Sequence, residues 1–376
     1  MRGKALGITL SPLCFGVTGD GYLSGMRVVV VGATGNVGTS VVRALAADPA
    51  VSSILGLARR RPGLQVPKTT WAAADVSRDD LVAHFRGADA VVHLAWLIQP
   101  SRDGAVLRAT NVEGSARVFS AVGEAGVPAL VYASSVGAYS PGPKDRAVSE
   151  DWPTGGVPSS FYSRHKAEVE RLLDAFEAEH GAAVRVVRLR PGLIFSRDAA
   201  TGIRRLFIGP FLPRGLVRRG LIPVVPDLPR LRFQAVHSHD VAEAYRLAAT
   251  GEARGAFNVA AEPVLDPPRL GRLLGARPVR VPSRVLRAAA SASWAARLQP
   301  TPPGWLDMAL AVPVMDITRA RRELGWVPRR TAEEALLELL EGIREGAGLD
   351  TPPLAPGSGG PLRIRELRSG VGARSM

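Results

Sequence analysis

Arg27-Val28-Val29-Val30-Val31-Gly32-Ala33-Thr34-Gly35-Asn36-Val37-Gly38 decides the fold. Four consecutive valines make a β-branched run of the kind buried on both faces of a parallel sheet. Three glycines spaced GxxGxxG follow at once, and Thr39–Ala47 reads as a helix. Outward from this unit the alternation continues. Strands at Ser53–Ala58, Thr69–Ala74, Ala90–Leu94, Ala129–Ala133 and Ala183–Leu189 are interleaved with helices at Asp79–Phe85, Asn111–Ala125 and Ser160–His180. This pattern predicts an α/β chain, a Rossmann-type doubly wound parallel sheet over residues 26–195. Beyond residue 195 the alternation fails. A strand–helix pair returns at Phe233–Ala249, with a further strand at Ala256–Val259, so residues 231–260 are expected to rejoin the sheet. Residues 196–230, rich in Pro, Gly and Arg, and the mainly helical 261–345, with a short strand near Arg277–Val281, are expected to form a smaller substrate-binding lobe. Residues 1–25 read as a disordered extension ahead of Met26, and the Gly/Pro-rich 346–376 as a disordered tail.

Of the 376 residues 46% are hydrophobic and 22% charged, which excludes global disorder. The single cysteine, Cys14, excludes an internal disulfide and a cysteine-based zinc site. No apolar run reaches the roughly 18 residues of a membrane span. Arg2 and Lys4 precede a mildly apolar stretch, but Pro12 interrupts it and no small-residue cleavage site follows, so a cytoplasmic location is expected. His237 and His239 are too isolated for a metal site, no metal is called for, and Asp240 reads as a helix-start cap.

The glycine loop has a chemical use. Gly32, Gly35 and Gly38 let the backbone turn tightly and approach a pyrophosphate, and the helix N-terminus behind Thr34, Asn36 and Val37 faces that anion. The alternative is a glycine turn with no ligand. A carboxylate at the end of the second strand would hold the ribose hydroxyls of NAD, but this strand ends in Arg59-Arg60-Arg61. Arg59 and Arg60 suit a 2′-phosphate, so NADP is the expected cofactor, with NAD the alternative. Asp75 and Val76 are placed to meet the adenine, and His93, Leu94, Ala95 and Trp96 to line the cofactor groove.

Tyr162 and Lys166 stand four apart at the start of a long helix and so share a face. An ammonium beside a phenol favours the phenolate and equips the tyrosine to pass a proton to or from a carbinol. Ser134 and Ser135 end the fifth strand, at the sheet edge where ligands bind in such folds. Asn111 opens the preceding helix and on its own reads as an N-cap.

The ordered set GATGNVG at 32–38, HLAW at 93–96, TNVEG at 110–114, YASSVGAY at 132–139, YSRHK at 162–166, RPGLIF at 190–195 and LGWVP at 324–328 resembles the extended short-chain dehydrogenase/reductase superfamily, in its NAD-dependent epimerase/dehydratase branch. The resemblance implies that Ser135 orients the substrate oxygen, Tyr162 is the general acid/base, and Lys166 binds the nicotinamide ribose and lowers the tyrosine pKa. It further implies that Asn111 holds a backbone kink or a relay water, that Pro191 and Leu193 line the nicotinamide pocket, and that a homodimer forms through helices at about 111–125 and 160–180. Three departures narrow the chemistry. Val136-Gly137 replaces the Asp-Glu pair of the dehydratases, Leu193 and Ser196 replace the Asn and Gly common in nucleotide-sugar enzymes, and Arg59–Arg61 replace the NAD-type acid.

The formal charge of +14 suggests an anionic partner. Residues 201–235 carry seven arginines against Asp227, and residues 267–300 carry seven with no acid, so nearly all the excess lies in the expected substrate half. Neither segment resembles a nucleic-acid motif. A basic, apolar lip over the site would suit an anionic or lipid-like small molecule. The expected activity is NAD(P)-dependent hydride transfer to or from a carbinol or ketone. The alternatives are a nucleotide-sugar epimerase and a non-catalytic NADP-binding sensor.

Overall fold

The computed structural model describes residues 25–99, 101–208, 217 and 220–356. Seven strands form the central sheet: β1 (Met26–Val31), β2 (Val51–Ala58), β3 (Thr69–Ala73), β4 (Ala90–His93), β5 (Ala129–Ala133), β6 (Arg185–Pro191) and β7 (Gly255–Val259). Their spatial order is β7-β6-β5-β4-β1-β2-β3, and every pairing is parallel. The valine run of β1 explains its central place. Val28 and Val30 pack on one face with Val41, Val42 and Leu45 of the Asn36–Ala47 helix and with the Ser238–Thr250 helix. Val29 and Val31 pack on the other with the helices Gly114–Glu124 and Phe161–His180. Chain order reverses between β1 and β4, which opens a crevice at the strands' carboxyl ends.

Three two-stranded parallel pieces tie the second half of the chain to this core. Leu193–Phe195 pairs with Ala235–His237, Val224–Asp227 with Arg277–Arg280, and Ala147–Val148 with Val314–Met315. Trp326 of the LGWVP motif is fully buried and donates from Nε1 to the Asp240 carbonyl at 2.7 Å, so that motif is a packing anchor.

Several expectations are corrected. The segment starting at Asn111 does not begin a helix. Helical structure begins at Gly104, and residues Ala109–Glu113 form a π-helical turn that contains Asn111. His237, not Asp240, caps the Ser238–Thr250 helix, its ring accepting from the His239 amide. Asp240 is buried and accepts from the Arg330 amide at 3.0 Å. The tail is not disordered from residue 346 onward. Gly346 takes a left-handed conformation (φ 72°), Ala347 accepts two hydrogen bonds from Thr201, and Thr351 and Leu354 are buried. The rest of the expected disorder, at 1–24 and 357–376, lies outside the described residues.

Candidate active site

The glycine loop is built by backbone contact. Gly32 has φ +86°, and a Cβ there would lie 2.6 Å from the Ala95 amide nitrogen, so only glycine lets β1 turn against the chain leaving β4. A Cβ on Gly38 would meet the Gly32 carbonyl oxygen at 2.3 Å. Gly35 differs, because a Cβ there would find only the Gly32 oxygen, at 3.6 Å. The Asn36–Ala47 helix that starts here has no side-chain cap, so its first amides point outward without a local acceptor. An open cradle under an uncapped helix N-terminus fits a dinucleotide pyrophosphate. Thr34 is buried, and its carbonyl accepts a 3.0 Å hydrogen bond from the Thr351 hydroxyl of the C-terminal segment. Asn36 turns away from the cradle toward the chain after β6. Its Oδ1 accepts from Ser196 at 3.1 Å, and its Nδ2 donates to the Ile194 carbonyl at 3.4 Å. Val37 packs on the core.

Arg59 and Arg60 follow β2 and are exposed. Asp75 is drawn into a local turn, accepting from the Ser77 amide at 3.0 Å and hydroxyl at 2.7 Å. Burial pushes its carboxyl up, but the Ser77 bonds and the charges of Arg59 and Arg78 hold it below the usual range. Val76 is buried, a Cβ on Gly114 lying 2.7 Å from its Cγ2, so its side chain belongs to the core rather than to an open adenine edge. His93 is also a core residue. It contacts the Ser115 hydroxyl at 3.0 Å, and burial with the Lys166 charge lowers it to about 3, which leaves it neutral. Leu94 is tied by its amide to Val31, Ala95 abuts Gly32, and Trp96 reaches the catalytic side. Pro191 is the buried last residue of β6, and Leu193 beyond it is 40% exposed.

Ser135 and Tyr162 come together. Ser135 lies two residues past β5, accepts from the Gly137 amide at 3.0 Å and stands near enough to the Tyr162 phenol to favour its ionised form. Ser160 caps the Phe161–His180 helix, and Ser163 pins its start by donating to the Gly137 carbonyl at 2.5 Å. Gly137 is required, because a Cβ there would lie 2.9 Å from the Tyr162 ring. Lys166 departs from expectation. Its Nζ donates to the Ala133 carbonyl at 2.6 Å and sits 3.4 Å from the Trp96 ring centroid, against 5.9 Å from that of Tyr162. Burial pushes the Tyr162 phenol above the ordinary tyrosine value of 10.0, and the group acting the other way is Ser135 rather than Lys166. Burial likewise drops the Lys166 ammonium well below the usual lysine range, against the pull of Glu170.

Asn111 touches neither Tyr162 nor Ser135 among the hydrogen bonds formed. Fully buried, it accepts from the Leu97 amide at 2.7 Å and returns a bond to the Leu97 carbonyl at 2.8 Å. It clamps the loop that carries Trp96 and is a positioning residue. The π turn explains why it read as a cap: it shifts the helical register where a new helix seemed to start.

Glu170 was missed, although the 162, 166, 170 spacing puts it on the same helix face. It is 1% exposed and takes Arg190 in a two-point grip at 2.9 and 3.0 Å, Arg188 at 3.0 Å and the Ser134 hydroxyl at 2.5 Å. Burial pushes its carboxyl up, yet Arg190, Arg188 and Ser134 bring it down to about 2. The cluster braces Ser134, and with it the end of β5, from behind. Trp305 and Phe207 were also missed. Trp305 lies 4.8 Å from Tyr162 between ring centroids, and Phe207 stands edge-on to Trp305 at 4.9 Å.

The family model described as the NAD dependent epimerase/dehydratase family matches residues 28–260. The chain belongs to this family. An uncharacterized protein of Mycobacterium tuberculosis is 28% identical over 327 residues, which covers 86% of this chain and 31% of that protein. The chain thus spans about a third of the length of that relative. The L-arabinose 1-dehydrogenase (NAD(P)(+)) of Haloferax volcanii is 29% identical over 225 residues, covering 54% of this chain and 85% of the enzyme. Among solved structures, the UDP-glucose 4-epimerase of Thermotoga maritima with UDP-glucose superposes with a TM-score of 0.63 at 21% identity, covering 85% of this chain and 99% of that one. The Thermus thermophilus UDP-glucose 4-epimerase in complex with NAD gives 0.60 at 22%, with the same coverage. Both establish the doubly wound fold. No helix among the described residues is long and apolar enough to cross a membrane.

Proposed function

We propose that this member of the family is an NADP-preferring oxidoreductase acting on a carbinol or ketone carbon. The observation that carries the reading is the juxtaposition of Ser135 and Tyr162 beyond the carboxyl end of β5, joined through Gly137, next to the β1–β4 crevice that holds the glycine cradle. When bound, the dinucleotide supplies or accepts the hydride. The chain's own part is to place the substrate oxygen and to manage one proton. Burial keeps the Tyr162 phenol protonated, so it is poised to donate to a ketone oxygen. Ser135 is positioned to orient the same oxygen. Lys166, one turn on, is assigned the nicotinamide ribose by the family resemblance, which requires its ammonium to leave the Ala133 carbonyl it now meets. Asn111 holds the Trp96 loop in place through Leu97. Arg59 and Arg60, exposed beyond β2 with no acid beside them in sequence, support a 2′-phosphate.

The test is direct. Oxidation of NADPH is followed by its nicotinamide absorbance with a panel of ketones. Tyr162→Phe is expected to lose about 10²- to 10⁴-fold in turnover while binding NADPH as the wild type does. Surviving turnover in that variant would remove Tyr162 from the mechanism. Replacing Arg59 and Arg60 with Ser is expected to erode the preference for NADPH over NADH about tenfold or more, the worth of a charge-assisted phosphate contact. Epimerisation of a UDP-sugar with no net NADPH consumption would overturn the redox reading in favour of the epimerase.

A further inference from the structure

Four aromatic rings from four distant segments meet over the catalytic residues. Trp305 lies against Tyr162 at 4.8 Å with a 38° tilt, Trp96 meets Tyr162 edge-on at 5.8 Å, and Phe207 meets Trp305 edge-on at 4.9 Å. None of the four is buried outright. The contrast with Trp326, Tyr139 and Tyr245 is sharp, since those core aromatics are at most 1% exposed. The indole nitrogens of Trp96 and Trp305 are shielded from solvent and have no partner, as is true of those of Trp71 and Trp294 and of the Tyr132 hydroxyl, so the wall is distinguished from the core aromatics by its partly exposed rings. Leu193, just past the end of β6, leaves a further apolar side chain 40% exposed.

We infer that the substrate is a flat, apolar ring ketone or the corresponding alcohol that lies against the aromatic wall of Trp96, Phe207 and Trp305, and not a nucleotide sugar. Aromatic walls favour apolar ring faces over hydroxyl-studded rings. The inference rests on the oxidoreductase reading and sharpens it to a substrate class. Hydride would go to the ring carbonyl carbon from the reduced nicotinamide, and the Tyr162 proton to its oxygen, giving the alcohol and the oxidised cofactor.

The probe is 2-tetralone, titrated calorimetrically into full-length protein saturated with NADP⁺, a complex in which the ketone binds but cannot be reduced. Wild type is expected to bind 2-tetralone and to show no binding of UDP-glucose. Trp305→Ala is expected to weaken 2-tetralone about tenfold or more, with Trp305→Phe within about threefold of wild type. Phe207→Ala provides a second, independent wall variant should Trp305→Ala not fold. UDP-glucose binding, absence of 2-tetralone binding, or equal affinity in the wall variants would each overturn the inference. NADP⁺ is titrated first. If it binds and 2-tetralone does not, only the substrate class fails. If NADP⁺ itself does not bind, the oxidoreductase reading fails.

Discussion

The two sides of the crevice are made of different material. On the cofactor side, main chain touches main chain: Gly32 against Ala95, and Gly38 against the Gly32 carbonyl. On the substrate side, half-buried Trp96 and Trp305 lean on Tyr162, and Phe207 leans on Trp305. Backbone contact leaves one solution, whereas aromatic side chains can be exchanged without moving a strand. A group common to the family is held by the first kind of surface, and a substrate that varies between members can be met by the second. If that contrast is right, damage to the scaffold costs stability, and damage to the aromatic wall costs affinity.

The largest stability effect is expected behind the catalytic face. Glu170→Gln removes the carboxylate that holds Arg188 and Arg190, and breaking such a buried pair from one side costs about 3–5 kcal/mol. The pH dependence follows from the same group. Its folded pKa, about 2, lies below its unfolded value near 4.5. Its stabilisation is therefore complete above the unfolded value and is lost as pH falls from there through the folded one. Thermal unfolding of wild type is expected to lose Tm over that acid window. Glu170→Gln should start lower at neutral pH and lose less. Equal acid slopes would show that the cluster is not the scaffold it is taken for.

Next comes Gly38→Ala. The added methyl meets backbone at 2.3 Å, where nothing flexible can yield, so about 1–3 kcal/mol of stability and much of the NADP affinity should go together. Trp305→Phe makes the opposite demand. Its Tm should stay close to wild type because Trp305 is only half-buried. A Trp305→Phe protein less stable than Gly38→Ala would erase the contrast.

The same contrast explains what could be read in the sequence. The sheet and the glycine loop were legible because both are written locally, in a run of valines and a glycine spacing. Two short motifs single out Ser135, Tyr162 and Lys166, and the fold brings the first two together. Three things were not legible. Asn111 sits in a π turn, whose register no helical period reveals. The Lys166 ammonium turns to the Ala133 carbonyl and Trp96, a choice made by tertiary packing. Trp305 and Phe207 are anonymous until the chain brings Trp305 to Tyr162 and Phe207 to Trp305, each from more than 40 residues away.

The smallest effect is expected where composition misled most. Glycines and prolines made the segment after residue 345 look structureless, yet two side chains hold its first part. Thr351, 1% exposed, donates to the Thr34 carbonyl at 3.0 Å, and Leu354 is buried. A Cβ on Gly63, in the stretch after Arg59–Arg61, would lie 2.9 Å from the Asp350 carboxylate. The segment therefore reaches both the glycine loop and the chain beyond β2, the two places that the proposed function assigns to the dinucleotide. Thr351→Val keeps the shape and deletes one hydrogen bond, which should cost about 1 kcal/mol. Thr351→Ser keeps the hydroxyl and should behave as wild type. If the segment is part of the cofactor side, the valine variant should release NADP faster in a stopped-flow displacement experiment, beyond what its small loss of Tm explains. An unchanged release rate would make the segment packing alone, and the backbone-built side of the crevice would end at the glycine loop.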